Sequence, residues 1–163
     1  MKPILLQCAA YTIWANRKII ECINNLSNDQ INRETGSSFS SIYKTIMHMW
    51  DAESIWWQRV KLVEHTERPG DTFTGSFEEL SKKLEDQSKL WEEWVANATD
   101  NQLSHVFAYQ NTKKEQFKQP MYEMLLHLFN HNTYHRGQLV TMLRQLGVEK
   151  IPPTDFIVFT RKK

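Results

Sequence analysis

From Pro120 to Gly147 one apolar stripe runs without a proline to break it, and no other stretch restricts the fold as much. Met121, Met124, Leu125, Leu128, His131, His135, Leu139, Met142, Leu143 and Leu146 recur at spacings of three and four. That period places them on one face of an α-helix turning once in 3.6 residues. Pro120 suits the opening turn and Gly147 the C′ position. Histidines stand at every fourth place of the same helix: His127, His131 and His135. Residues i and i+4 share a face about 6 Å apart along the axis. Two such imidazoles can point at one cation, which neutral ring nitrogen binds at roughly 2.0–2.1 Å. His131 and His135 are therefore a candidate half-site, and on spacing alone His127 could replace either. Gly137, inside the helix, costs roughly 1 kcal/mol relative to alanine. Its expected reason is close approach by a neighbouring element.

Three further segments carry the helical period. The first runs from Pro3 to about Leu26, with Ile4, Cys8, Tyr11, Ala15, Ile19, Cys22 and Leu26 as its inward stripe, and Ser27-Asn28-Asp29 closes it. The second begins near Phe39 or Ser40 and continues to about Leu62, with Ile42, Ile46, Met49, Trp50, Trp56, Trp57 and Val60 supplying apolar mass. Ser76-Phe77-Glu78-Glu79 matches a capping box and opens the third, which carries Phe77, Leu80, Leu84, Trp91 and Ala98. The stretch Val63–Gly75, around Pro69-Gly70-Asp71, reads as a loop. Between Gln102 and Gln119 the helical period disappears. There Val106–Tyr109 and Glu115–Phe117, around a polar tip Gln110–Lys114, suit a short hairpin. The tail Ile151–Phe159 is apolar enough to dock on the helices, with Thr154 or Asp155 capping a last short one.

The 163 residues suit one domain, 1–163, with a single core. Only five Gly and five Pro argue against a turn-rich β-sandwich. The fold class is thus all-α: a four-helix bundle with a short irregular or hairpin insert before the last long helix. Such bundles build metal sites from side chains projecting inward from facing helices. A net charge of +1 gives no basic footprint for nucleic acid. No stretch approaches the ~20 apolar residues of a membrane helix. The apolar start is broken at Gln7 and continues with helical spacing through Ile23, which marks a mature helix of a cytoplasmic protein. Cys8 and Cys22, on one helix, would stand about 21 Å apart, beyond disulfide reach, and read as buried thiols.

His48 lies on the second helix beside Thr45, Ala52 and Ile55, neighbours slim enough to leave room for a ring. Joined to His131 and His135 it would give three neutral donors and open coordination positions, the pattern of catalytic sites. The rival reading is a set of hydrogen-bonded core histidines. His65 and His105 fall in irregular segments and read as solvated. The metalloprotease signature is absent, because Asn132 and not Glu follows His131, and Leu128 follows His127. No nucleophile elbow appears either.

Several stretches together resemble the DinB/YfiT family. Tyr11-Thr-Ile-Trp14-Ala15-Asn16-Arg17 resembles its first-helix signature, and Ile46-Met47-His48-Met49-Trp50-Asp51-Ala52-Glu53 with Trp57 its second. His127-x3-His131-x3-His135-Arg136-Gly137-Gln138 is similar to its most specific motif, and Pro152-Pro153-x-Asp155 to its tail. The resemblance implies an up-down-down-up helix order, frequent pairing as a homodimer, and a divalent metal, Ni or Zn, on His48, His131 and His135. His127 then becomes a pocket residue. Glu53 is a second pocket candidate, in competition with an exposed surface carboxylate. Characterised relatives resemble thiol transferases that pair a low-molecular-weight thiol, such as bacillithiol or mycothiol, with an electrophilic small molecule. The alternatives are metal-dependent hydrolysis, a non-catalytic metal-binding stress-response protein, and a helix-mediated interaction domain that holds no metal.

Overall fold

Four helices of 19 to 25 residues carry the structure, a computed structural model that describes residues 1–111 and 113–161. They are α1 (Lys2–Ile23), α3 (Ile42–Val60), α4 (Phe77–Asn97) and α6 (Met121–Gln145). Between and after them come the short helices α2 (Asn28–Asn32), α5 (Asp100–Ser104) and α7 (Phe156–Thr160). A 3-10 turn spans Pro69–Asp71, and a two-stranded antiparallel sheet pairs β1 (Val106–Gln110) with β2 (Gln116–Pro120). The helix starts follow local chemistry. Ser76 accepts from the Glu79 amide at 3.2 Å while Glu79 reaches back to the Ser76 amide at 2.7 Å, which satisfies two orphan donors at once. Ser27 with Gln30 and Thr99 with Gln102 repeat the device on the short helices. At the far end of α6, Gly147 takes φ +84°, and the Val148 amide donates back to Leu143. Glycine suits that left-handed turn because it carries no Cβ.

Side-chain pairings fix how the long helices run. α3 and α4 are parallel, since the Tyr43 hydroxyl donates to Gly75 O near their starts and Ser88 meets Glu53 further along. α3 and α6 are antiparallel, with Thr45 reaching Met142 and Trp56 meeting His127. α1 packs on both α4 and α6. The core divides into two apolar clusters. One gathers Ile19, Ile23, Ile46, Met49, Leu80, Leu84, Leu139 and Met142. The other gathers Leu5, Ala9, Trp91, Val95, Met124, Leu125 and Leu128. Between them each long helix contributes buried polar residues: Asn16 from α1, Glu53 from α3, Ser88 from α4, Asn132 and Arg136 from α6. No helix of the described residues is long and apolar enough to cross a membrane.

Several expectations shift by a residue or a turn. α1 buries Ala15 and Ile19 as expected, together with Leu5, Ala9, Thr12, Ile13, Asn16 and Ile23, whereas Ile4 is 64% exposed and Cys8 and Cys22 are half-buried free thiols. Packing against two helices at once rotates the buried arc away from the stripe that apolar spacing favours. Ser27 starts a short helix instead of closing the first one. The hairpin forms, with β2 extending to Pro120 opposite Val106. Thr112 of its expected tip lies outside the described residues. A Cβ at Gly137 would meet nothing within 4 Å, so no neighbour presses on it. Gly70 shows the close approach instead: its amide donates to Asp51 at 2.7 Å, and a Cβ there would strike the same carboxylate. The tail docks as expected. Tyr11 donates to Thr154 O at 2.7 Å and packs edge-on against Phe156 and Phe159. Asp155 occupies the N-cap of α7 without a side-chain capping bond.

Candidate metal centre

Antiparallel α3 and α6 bring His48 opposite the two histidines one turn apart on α6. The Nε2 atoms of His48 and His131 stand 3.1 Å apart, those of His135 and His131 3.0 Å apart. The three residues form a cluster that could hold a metal ion. Two imidazole nitrogens bound to one ion at roughly 2.0–2.1 Å stand about 3 to 3.4 Å apart, for angles from a right angle to the tetrahedral one. The observed separations fall in that range. His135 Nδ1 lies 2.7 Å from Gln138 Oε1. An amide oxygen only accepts, so Nδ1 carries the proton and Nε2 keeps its lone pair for a cation. His131 Nδ1 is buried with no partner among the described residues. The donor set and its spacing fit a divalent ion.

The electrostatics agree with neutral donors. Burial, then the facing His135 and His48 rings, pushes the His131 pKa down to about 3. Burial and His135 push His48 down to about 4. Burial lowers His135 too, opposed by its bond to Gln138. All three rings are thus unprotonated at neutral pH, the form that ligates metals.

Phe39, from the segment preceding α3, stacks on the His48 ring at 4.0 Å and meets His135 edge-on at 5.6 Å. Sequence reasoning placed Phe39 at a helix start and gave it no role at the site. The only signal was one aromatic in a run of Gly and Ser. His127 does not join the trio. Its ring centre lies 5.9 Å from that of His131 and 5.7 Å from that of Trp56. This is the position of a residue beside the cluster. His65 and His105 are exposed and take no part.

Glu53 is not an exposed carboxylate, and its side chain bonds Ser88 and Asn132. It is 1% exposed, with Ser88 Oγ 2.9 Å from both carboxylate oxygens and Asn132 Nδ2 donating to Oε1 at 3.0 Å. Burial raises its pKa to about 8 against the pull of those bonds and of Arg136. The chain of bonds continues inward. Asn16 donates to Asn132 Oδ1 at 3.0 Å, and Arg136 Nη1 donates to Asn16 Oδ1 at 3.0 Å. Asn132 and Arg136 each follow a trio histidine by one residue, so α6 turns two histidines to the site and two polar anchors to the core. These anchors escaped sequence reasoning, because a polar residue next to a functional histidine reads equally well as solvent-facing.

Other proteins share this arrangement of long helices. In the crystal structure of a DinB-like protein from Bacillus cereus ATCC 10987, the matching fold covers 91% of this chain and 94% of that one, with a TM-score of 0.71 at 19% identity. Protein DinB of Bacillus subtilis (strain 168) is 27% identical over 170 residues, covering 96% of this chain and 93% of that protein. The family model described as DinB matches residues 1–162. A match that spans nearly the whole chain and includes α3, α6 and the docked tail places this protein in the DinB family.

Proposed function

We propose that His48, His131 and His135 hold one divalent ion, nickel or zinc, and that the protein is a metal-dependent enzyme of the thiol S-transferase type. The supporting observation is the convergence of three Nε2 atoms at 3.0 and 3.1 Å, with one ring's tautomer set by Gln138. A divalent ion with open positions would supply the positive charge that keeps a low-molecular-weight thiol deprotonated near neutral pH, ready for an electrophilic small molecule. The chain's own residues do the rest. Gln138 orients His135, Phe39 covers the outer face of His48 against water, and His127 with Trp56 lines the side towards the hairpin. The same proposal takes the four long helices as an up-down-down-up bundle and the protein as a homodimer.

Elemental analysis of the native protein tests the first step. About one nickel or zinc per chain is expected, with loss in His48→Ala, His131→Ala and His135→Ala. A protein that takes up no metal when supplied with both ions would remove the proposal. A screen of thiols against electrophiles follows, and the enzyme reading predicts turnover that chelation abolishes. Metal whose removal unfolds the protein, with no thiol reaching it, would instead support an ion that ties α3 to α6. Sedimentation reads the oligomeric state.

A further inference from the structure

A row of ring contacts runs from the trio to an arginine that has no partner among the described residues. On α3, Arg59 follows His48 by eleven residues, close to three whole turns, so the two share a face roughly 16 Å apart along the axis. The Arg59 guanidinium carbon sits 4.5 Å from the ring centre of Trp56 and 5.3 Å from that of Tyr109. From Trp56 the rings lead on through His127 to His131 at centre distances of 5.7 and 5.9 Å. With Ile55, Arg59 lines a cavity of about 1180 Å³ between the loop after α3 and the hairpin.

Three other arginines have partners: Arg17 pairs with Glu85 at 2.7 Å, Arg68 with Asp71 at 3.4 Å, and Arg136 bonds Asn16 and Thr133. Arg33 and Arg144 have none among the described residues but are exposed, whereas Arg59 is half-buried. The Arg59 side chain donates to no acceptor and pairs with no carboxylate among the described residues. The guanidinium lies over both rings, which are set at 68° to each other. Its edge, which carries the donors suited to a carboxylate or phosphate, stays free. Carboxylates on the same rim do not reach it: Glu64 and Glu67 are exposed, and Asp71 is taken by Arg68. Partial burial strengthens the attraction such a charge exerts compared with one in open water. Burial lowers the Arg59 pKa, and burial followed by the Arg59 charge lowers that of His127.

We propose that Arg59 is an anion-binding residue, the edge of its guanidinium taking the carboxylate or phosphate of a small molecule whose far end reaches the histidine cluster. The far-end contact rests on the metal reading of the trio; the anion contact does not. Calorimetric titration of succinate and of inorganic phosphate tests it on the whole protein, both metal-free and nickel-loaded then dialysed. Wild type, Arg59→Gln, Arg59→Lys and His135→Ala are compared, with circular dichroism confirming each fold. One saturable site is expected for at least one anion, weakened tenfold or more in Arg59→Gln, less in Arg59→Lys, and unchanged in metal-free His135→Ala. The stronger of the two probes tells carboxylate from phosphate. Absence of saturable binding, or equal binding by Arg59→Gln, overturns the proposal. Binding that requires nickel and His135 but not Arg59 also overturns it, while leaving the metal reading intact. Arg59-dependent binding in a protein that takes up no metal supports the anion contact and removes the reading of the trio.

Discussion

Glu53→Gln should stabilise the protein at neutral pH and flatten its pH profile. The Glu53 carboxyl is 1% exposed and burial raises its pKa from 4.5 to about 8. Below pH 4.5 both folded and unfolded chains hold this proton. Above it the unfolded chain releases the proton while the folded one keeps it, so stability is full at low pH and is lost as pH rises towards 8. The slope is about 1.36 kcal/mol per pH unit, which amounts to about 3 kcal/mol at pH 7 for an unfolded value of 4.5. Glutamine removes this loss at little geometric cost. Its oxygen can accept from Ser88 Oγ and Asn132 Nδ2 in place of Oε1, and its amide nitrogen can stand in place of Oε2 beside the Ser88 hydroxyl oxygen. Urea denaturation of the chelated protein, followed by tryptophan fluorescence at several pH values from 5 to 8, measures the difference between the two proteins. Groups common to both cancel. The gap should be small near pH 5 and reach about 2–3 kcal/mol by pH 7. A variant less stable than wild type at pH 7 would refute the reasoning. It would mean that Glu53 is ionised, held by the buried Arg136 charge through the amides of Asn16 and Asn132.

Gln138→Leu removes the acceptor that fixes His135, and metal affinity should fall about 10- to 100-fold with little change in the chelated protein's melting curve; competition with a chromophoric chelator reads it. Gly137→Ala adds a Cβ into open space on a helix and should stabilise by about 1 kcal/mol in thermal melts; destabilisation would mean that another molecule presses on this face. Gly147→Ala places a side chain at φ +84° and should cost about 1 kcal/mol in the same melts.

Legibility in the sequence followed the range of the physics involved. The existence of four long helices, the capping box at Ser76 and the glycine stop at Gly147 depend on residues within one turn of each other, and each formed as read. The hairpin was legible from a few alternating residues because its two strands are neighbours in the chain. At the site, the i, i+4 spacing put His131 and His135 on one face, but it left His127 equally eligible. Which pair meets His48 depends on the axial register of α3 against α6, and no local period encodes that.

The sequence by itself therefore determined the four long helices, the Ser76 start, the Gly147 stop and a set of imidazoles able to share one side of α6, because propensity, capping and helical periodicity act over three or four residues. The tertiary structure alone decided which face of α1 is buried, that Glu53 lies inside a polar layer, that Phe39 covers His48, and that Arg59 lies against two rings with no ion-pair partner among the described residues. Those facts arise where residues far apart in the chain compete for the same space between helices. There, packing and the need to satisfy buried polar groups override the preference of any single segment.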